Sequence, residues 1–404
     1  MPGPVTSRSV PVTGERLGVV LVVLLFAGWA TNHFAAMIPV LRDREGLSAS
    51  VLAGAFGIYA VGLLPGLLGG GALSDRLGRR PVVLTGSIVA AAGNTVMLCW
   101  HPAAGIYLGR LVVGVGVGLA ISAGTAWATD LAGRRGTTLA GTTLTAGFAC
   151  GPLASGLVAQ FVAGAAVVAA PFLLTIALSV VATAVAARLT RPVASVPAAS
   201  EPAAVVPVGP ERSVGAALAR SVPMALWVFS TVTVAIVVLA GRLGGGLGGP
   251  WLPGVASALA LGTGVGVQVL ARRGSWGPGS GAVGAVLAAA GFALAAVVDA
   301  APGPVLFVVA STVLGAAYGL CLRAGLVDVE RFTPPAHRGA TLGVYYVCTY
   351  LGFGLPVLLE LLRPLTGTAL PFTALALLAL GAAVLRGRQV RHALSRRPHP
   401  LPRR

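Results

Sequence analysis

The sequence has very little charge for its length, and it has no lysine at all. Only 10% of its 404 residues are charged, 56% are hydrophobic, and all 28 basic residues are arginine. A water-soluble domain needs many more charges to cover its surface, so this composition excludes that class. The four cysteines form no CxxC or Cys/His pattern, so we expect them to be small core residues, with no metal site and no cofactor.

The formal charge of +17 is a second property that needs an explanation. It does not indicate a nucleic acid partner, because the arginines fall in short groups between apolar runs and not in one patch. Mean hydropathy is +0.89, and about 20 apolar residues suffice to cross about 30 Å of hydrocarbon. The sequence therefore predicts an all-α membrane protein with twelve transmembrane helices. The predicted spans are residues 17–38, 49–71, 81–100, 104–127, 137–160, 165–187, 222–241, 251–271, 281–299, 303–322, 339–361 and 366–385.

The distribution of arginine supports this number of spans. If both termini are cytoplasmic, 23 arginines lie on that side, four lie outside, and Arg110 lies within a span. Basic residues concentrate in cytoplasmic loops, and one helix more or fewer would reverse every later loop. The sequence thus predicts a multi-pass protein with both termini cytoplasmic. The replacement of lysine by arginine is typical of GC-rich coding and favours a bacterial inner membrane.

A segment rich in Pro, Ala and Val divides the predicted spans into two sets of six. The predicted organisation is a six-helix bundle at 1–187, a cytoplasmic linker at 188–221, a second six-helix bundle at 222–385 and a basic cytoplasmic tail at 386–404. The halves resemble each other, since GVGVG begins at Gly114 in span four and GAAYG begins at Gly315 in span ten. Two pseudo-symmetric bundles are typical of alternating-access carriers, whose substrate binds near the bilayer midplane.

The loop between spans two and three concentrates charge within an otherwise apolar region. GALSDRLGRR runs from Gly71 to Arg80. The positive-inside bias accounts for its arginines and Gly78 permits a tight turn, but neither argument explains Asp75. A carboxylate is stabilised by nearby arginine or by a helix N-terminus, so Asp75 is the residue that calls for a partner.

This loop resembles the signature G-x-x-x-D-R-x-G-R-R of the major facilitator superfamily. RLVVGVGVG from Arg110, DLAGRRG from Asp130 and GFACGPLASG from Gly147 are similar to further segments of that family, the last to a pattern shared by its proton-exchanging exporters. The resemblance implies a transporter and not an enzyme. It also implies that Asp75 contacts the N-terminus of span eleven near Gly339. The alternative is an ion pair of Asp75 with Arg76 or Arg79 on a solvated loop.

The residues that we assign to gating or helix packing are Gly71, Asp75, Arg76, Gly78, Arg79, Arg80, Gly114, Gly118, Gly147, Gly151, Pro152 and Gly156. Gly147 and Gly151 lie four residues apart on one helix face, so another backbone can approach closely there. Pro152 removes a hydrogen bond to the carbonyl of Phe148 and allows a bend.

Ionisable groups within the spans are scarce. All eleven acidic residues lie in loops or near span ends, so no carboxylate is expected at mid-membrane. A dicationic substrate would need a buried anionic partner, so we expect a neutral, amphiphilic or anionic organic substrate. His33 and Arg110 lie at similar predicted depth, and we expect His33 to be neutral at rest and to carry the coupled proton. The predicted substrate or proton pathway is Asn32, His33, Tyr59, Arg110, Tyr318, Tyr346 and Tyr350.

Direction and coupling stay open at this stage. The family resemblance favours proton-coupled export, whereas the missing mid-membrane carboxylate favours an uptake symporter or an uncoupled facilitator. We expect the protein to be a monomer. A non-transporting receptor or scaffold is the third alternative, but it has no need of a gate. Aromatic residues in membrane helices serve packing more often than ligand binding, which is the alternative for each tyrosine.

Overall fold

The computed structural model describes residues 10–190, 212–243 and 248–395. Regular structure in these ranges is entirely helical. The α-helices are α1 Val10–Asn32, α2 Phe34–Glu45, α3 Ala49–Leu77, α4 Arg79–Cys99, α5 Ala103–Phe161, α6 Ala166–Leu189, α7 Val214–Thr233, α8 Ala240–Arg242, α9 Leu252–Arg273, α10 Ser280–Ala300, α11 Pro304–Phe332, α12 Arg338–Tyr350, α13 Leu355–Thr366 and α14 Ala369–Ser395. A π-helical turn, Val234–Leu239, joins α7 to α8, and 3₁₀ turns occupy Pro335–His337 and Leu351–Gly354.

Within the described ranges, eleven continuous helical stretches are long and apolar enough to cross a membrane. One of them, α5, contains 59 residues, which corresponds to about 90 Å at 1.5 Å per residue. Its backbone is not helical at Ala132 (φ −143°, ψ 18°) and Gly133 (φ 55°, ψ −138°). The eleven stretches do not establish the predicted number of twelve, but this break lies between predicted spans four and five.

Several helices extend beyond the apolar runs that predicted them. The first stretch continues to Glu45 instead of residue 38. Helix α7 begins at Val214, inside the predicted linker 188–221, where the Ser213 hydroxyl accepts a hydrogen bond from the Ala216 N–H. Helix α14 continues to Ser395, inside the predicted tail 386–404. Capping side chains and long arginines extend helices into polar surroundings, so hydropathy underestimates their length. The rest of the predicted linker and tail, 191–211 and 396–404, lies outside the described residues.

The chain divides into two compact units, with the boundary in sequence between residues 201 and 202. Residues 249–254 group with the first unit. In the first unit, α5 packs against α1, α3 and α4. In the second unit, α11 packs against α7 and α10, and α10 packs against α14.

Glycines bring equivalent helices into backbone contact in both units. On α5, Gly114 and Gly118 lie so close to carbonyls of α3, those of Tyr59 and Leu63, that an added Cβ would overlap them. On α11, Gly315 and Gly319 face carbonyls of α9 in the same way. Small residues allow such approach between membrane helices. The paired GVGVG and GAAYG segments therefore make the same kind of contact within their own units.

Candidate functional site

A buried arginine lies among α1, α2, α3 and α5 of the first unit. Arg110 on α5 is fully buried. Its Nε donates to the carbonyl of Ala55 at 3.2 Å, and its Nη1 donates to the carbonyl of Thr31 at 2.9 Å. The guanidinium lies 4.7 Å from the ring centroid of Phe34 and 4.6 Å from that of Tyr59. In the described part of the chain, Nη2 has no hydrogen-bond partner and no carboxylate forms an ion pair with Arg110. Carbonyl dipoles and aromatic faces therefore stabilise this cation in place of a counterion.

An oriented histidine lies beside this arginine, where a turn interrupts the first membrane helix. His33 is fully buried between α1 and α2, and its Nε2 lies 2.7 Å from Oδ1 of Asn94 on α4. The Asn94 Nδ2 donates to the carbonyl of Ala90 at 3.1 Å, which turns Oδ1 toward the imidazole. The hydrogen-bond network therefore assigns the proton of neutral His33 to Nε2 and a free lone pair to Nδ1. Among the described residues, Nδ1 has no partner.

Asn32 donates a hydrogen bond to a carbonyl that cannot receive its usual helical hydrogen bond because a proline follows four residues later. The Pro152 ring carries no N–H, so the carbonyl of Phe148 one turn earlier loses its helical donor. The Asn32 Nδ2 donates to this carbonyl at 2.8 Å. The hydrogen bond links the end of α1 to the turn of α5 before Pro152, which gives Asn32 a structural partner in addition to its predicted place in the pathway.

The remaining helix-five glycines also face backbone. At Gly147 an added Cβ would overlap the carbonyl of Leu25, and at Gly151 it would lie 2.8 Å from the carbonyl of Trp29, both on α1. At Gly156 it would overlap Pro250, which belongs to the short segment grouped with the first unit. These three positions therefore allow close backbone approach within the first unit.

Aromatic side chains occupy the second unit. The ring of Phe229 on α7 stacks on Tyr350 with centroids 4.8 Å apart and lies 6.2 Å from Tyr318. Tyr318 and Tyr350 are both buried. Tyr346 is half-buried and contacts Tyr345 at 5.9 Å instead. Two of the three predicted tyrosines of this unit thus share one cluster, and Tyr346 belongs to another contact.

A second carbonyl that faces a proline one turn later lies next to this aromatic cluster. Pro356 has no N–H to donate to the carbonyl of Gly352, which accepts instead from the Leu355 N–H at the end of a 3₁₀ turn. The hydroxyl of Thr233, the last residue of α7, donates to that carbonyl at 3.0 Å. The π-helical turn begins at the next residue, Val234. Helices α7 and α12–α13 therefore both depart from regular α geometry where they are bonded to each other.

The charged loop between α3 and α4 is organised by Arg79. Its Nη1 lies 2.5 Å from Asp75 Oδ1, and its Nε lies 2.9 Å from Asp130 Oδ2 on α5. The Asp75 side chain is 63% exposed. Gly78 has φ +92°, a conformation that side-chain-bearing residues rarely adopt. The structure therefore contains the ion pair that was the alternative for Asp75, while its contact with span eleven stays a prediction.

The other members of the loop have separate environments. Arg80 Nη2 donates to the carbonyl of Ala187 at 2.7 Å and its Nε donates to Thr190 Oγ1 at 3.2 Å, so it binds the end of α6. Arg76 is exposed. At Gly71 an added Cβ would meet Ser122 Oγ at an ordinary 3.5 Å, so packing does not demand glycine there.

A sequence profile of the Major Facilitator Superfamily matches residues 20–357, most of the chain. The chain belongs to the Major Facilitator Superfamily. Members of this family are multi-pass membrane proteins that transport small molecules and are not enzymes.

The facilitator resembles transporters of several kinds. It is 27% identical over 96 residues to the Multidrug resistance protein MdtL of Klebsiella pneumoniae (strain 342), covering 24% of each chain. It is 33% identical over 102 residues to the Myo-inositol transporter 1 of Cryptococcus neoformans, covering 24% of this chain and 17% of that one. The matches thus span about a quarter or less of the length of these relatives.

Solved structures show the same fold over nearly the whole facilitator. A mutant of the peptide transporter POT has a TM-score of 0.77 at 14% identity, covering 93% of this chain and 94% of that chain. A D-xylose-proton symporter has a TM-score of 0.69 at 16% identity, covering 92% and 96%. At this identity the likeness concerns the fold alone.

The structure brings Asn32, His33, Tyr59 and Arg110 into one neighbourhood in the first unit and adds partners that sequence reasoning missed. Asn94 carried a visible signal, since it is an amide in the middle of an apolar span. Phe229 carried none, because an aromatic residue in an apolar run looks like ordinary packing.

Proposed function

We propose that this facilitator exports a small neutral or amphiphilic organic molecule in exchange for protons by alternating access. The observation that carries the proposal is the pair of unpartnered polar atoms, Nη2 of Arg110 and Nδ1 of His33, in one buried cluster of the described residues. Buried polar atoms are normally hydrogen-bonded, so an unsatisfied pair indicates a site that is completed by water, a proton or a ligand.

Protonation of His33 supplies the coupling step. The lone pair of Nδ1 accepts the proton while Nε2–H stays bonded to Asn94. The imidazolium then lies near the guanidinium of Arg110, and two like charges in a poorly solvated site require water or an anion. A neutral substrate that displaces this water disfavours the proton, so substrate and proton exclude each other, as exchange requires.

An anionic substrate would have the opposite effect on the protonation of His33. A carboxylate or phosphate group at Nη2 of Arg110 stabilises the protonated His33 and would travel with the proton. This second candidate, an uptake symporter, is favoured by the absence of a carboxylate beside Arg110 in the described ranges. The multidrug resistance relative supports export, and the xylose-proton symporter, although similar in fold alone, agrees with uptake. Uncoupled transport down a concentration gradient is the third alternative, and it applies if His33 has no role in transport.

Binding and transport together test these alternatives. A ligand-stabilisation screen of the purified transporter first identifies a substrate, and proteoliposomes with an imposed pH gradient then measure its movement. We expect His33→Gln to keep binding and abolish the dependence of transport on pH, and Arg110→Ala to impair both. His101→Gln is the matched control, since His101 lies near an exposed loop where it faces Glu45 at 3.4 Å. Proton uptake on substrate binding favours symport, proton release favours exchange, and an unchanged pH profile in His33→Gln contradicts the coupling role.

We further propose that α5 crosses the membrane twice, which gives twelve spans in two six-helix bundles. Both termini then lie on the cytoplasmic side of a bacterial inner membrane. In a variant without the four native cysteines, Arg134→Cys should react with an impermeant thiol reagent only from the cytoplasmic side. His101→Cys and Val162→Cys should react only from outside. Labelling of all three from one side would contradict the double crossing.

Asp75 is proposed as part of a cytoplasmic gate. A charge at this loop can leave Arg79 for another partner at little cost, because exposed ion pairs contribute only about 0–1 kcal/mol. A single copy of this charged loop is consistent with a gate that acts between unlike halves of a monomer.

A further inference from the structure

The second unit contains a cavity that the transport proposal does not use. Its volume is about 680 Å³, and it lies between α7, α11, α14 and the turn from α9 to α10. Pockets that hold small molecules measure about 300–1,000 Å³. Five arginines line it, and all lie in segments predicted to be cytoplasmic: Arg220, Arg323, Arg331, Arg386 and Arg388.

The cavity has a large excess of positive charge. Asp328 is the one carboxylate among its described lining residues. Asp328 forms an ion pair with Arg386 at 2.7 Å, and both side chains are only 4% exposed. Arg220 and Arg331 lie near enough to interact with Asp328 as well, but in the described part of the chain the other four arginines form no ion pair, so one carboxylate faces five guanidinium groups. Unpaired like charges around one cavity repel each other, and an anion relieves that repulsion.

The packing of the arginines holds their donors in place. Arg323 Nη1 donates to the carbonyl of Trp276 at 3.2 Å and to Ser280 Oγ at 3.3 Å. Arg220 lies 4.2 Å and Arg331 lies 5.3 Å from the ring centroid of Phe332. A guanidinium stacked on an aromatic ring keeps its edge N–H groups available, which suits two-point binding of phosphate oxygens.

The mouth of the cavity combines polar and apolar surface. Trp276 is 44% exposed and Val327 on α11 is 43% exposed, while Arg331 and Arg388 are exposed beside them. Tryptophan and arginine together are typical of the level where lipid headgroups meet hydrocarbon. Basic pockets between cytoplasmic helix ends are able to bind phosphate-bearing headgroups.

We propose that this cavity binds a phosphate group, carried either by an anionic phospholipid or by a soluble phosphate ester. The site lies wholly in the second unit and is independent of the direction and coupling of transport. Arg331 and Arg388 are the donors best suited to a test, because both are exposed and Arg386 must remain to neutralise Asp328.

The test compares two charge-matched double variants of the full-length protein. Arg331→Gln with Arg388→Gln removes two charges from the cavity, and Arg272→Gln with Arg273→Gln removes two exposed charges at the end of α9, outside the lining. Inorganic phosphate is titrated into protein in detergent at constant ionic strength. In parallel, protein is taken from vesicles of phosphatidylglycerol and phosphatidylcholine, and retained lipid is measured by native mass spectrometry.

We expect the cavity variant to bind its ligand about tenfold more weakly than wild type, and the α9 variant to match wild type. Binding of inorganic phosphate without retained phosphatidylglycerol supports the site with a soluble ester, and selective retention of phosphatidylglycerol supports it with a lipid. Equal binding by the two double variants, or no binding of either probe to wild type, overturns the proposal. If the cavity double variant does not fold, Arg388→Gln alone provides the same comparison with Arg273→Gln.

Discussion

In both units a side chain donates a hydrogen bond to the carbonyl four residues before a proline, but the neighbouring side chains differ between the units. In the first unit, Pro152 frees the carbonyl of Phe148 and Asn32 binds it. In the second, Pro356 cannot donate to the carbonyl of Gly352, and Thr233 binds this carbonyl beside the N–H of Leu355. In each case the donor comes from the first helix of the unit. Both units thus supply a side-chain donor to the carbonyl four residues before a proline, an amide in the first unit and a hydroxyl in the second.

The surroundings show where the units have diverged. Next to Asn32 lie the buried His33 and Arg110, whereas next to Thr233 lies Phe229 with Tyr350 and Tyr318. At the arginine-rich ends of the helices, the second unit has the buried charges and the first unit has the exposed ones. The first unit has the exposed pair of Arg79 with Asp130, and the second has the buried pair of Arg386 with Asp328. The hydrogen bond next to the proline is therefore shared, while charged side chains are distributed differently in the two units.

The buried and exposed ion pairs give the largest predicted difference. Arg386→Gln leaves Asp328 buried without a partner, so we expect it to lower the free energy of unfolding by about 3–5 kcal/mol. Arg79→Gln acts on exposed carboxylates and should cost only about 0–1 kcal/mol. Thermal and denaturant unfolding in detergent micelles measures both. Equal losses of unfolding free energy in Arg386→Gln and Arg79→Gln would contradict the difference in burial between the two ion pairs.

Replacing a glycine at a helix–helix contact should lower the free energy of unfolding by a similar amount in both units. Gly114→Ala and Gly315→Ala place a Cβ on a facing backbone carbonyl, and overpacking of this kind costs about 1–3 kcal/mol. Gly141→Ala on α5, where nothing lies within 4 Å, is the control and should be neutral. A large loss in one unit and none in the other would argue against equivalent packing.

The carbonyls that lie four residues before these prolines allow a double-mutant cycle in each unit. Asn32→Ala or Thr233→Val removes the side-chain hydrogen bond to the carbonyl and should cost about 1 kcal/mol. With Pro152→Ala or Pro356→Ala present, the restored N–H binds the same carbonyl, so the second substitution should cost much less. Purely additive losses would mean that the side chains do not serve these carbonyls.

The smallest effect on stability is expected at Asp75. Asp75→Asn should cost less than about 1 kcal/mol because the carboxylate is exposed, yet it should lengthen spin-label distances between the cytoplasmic ends of the second and eleventh spans. Asp130→Asn removes the other carboxylate partner of Arg79 and serves as the control. If both variants change the distances alike, Asp75 acts through Arg79 and not as a separate gate.

Sequence alone could predict what depends on local composition. Apolar runs located the helices, Gly78 located a turn, and Pro152 located a freed carbonyl. Partners distant in sequence could not be predicted, such as Asn94 for His33 or Thr233 for Gly352. The helices also extend beyond the predicted spans, because hydropathy reports contact with lipid and not backbone hydrogen bonding. Arg386, which belongs to the predicted basic cytoplasmic tail, is instead buried in α14.

The break in α5 has a stereochemical consequence. Gly133 has φ 55° and ψ −138°, and nothing lies within 4 Å of a Cβ added there. The site therefore has room for a side chain, and only handedness excludes one. These dihedrals mirror an extended conformation that L-residues favour, so a D-alanine introduced by peptide ligation would fit where L-alanine is strained. At this point the chain requires an achiral residue or a mirror-image one.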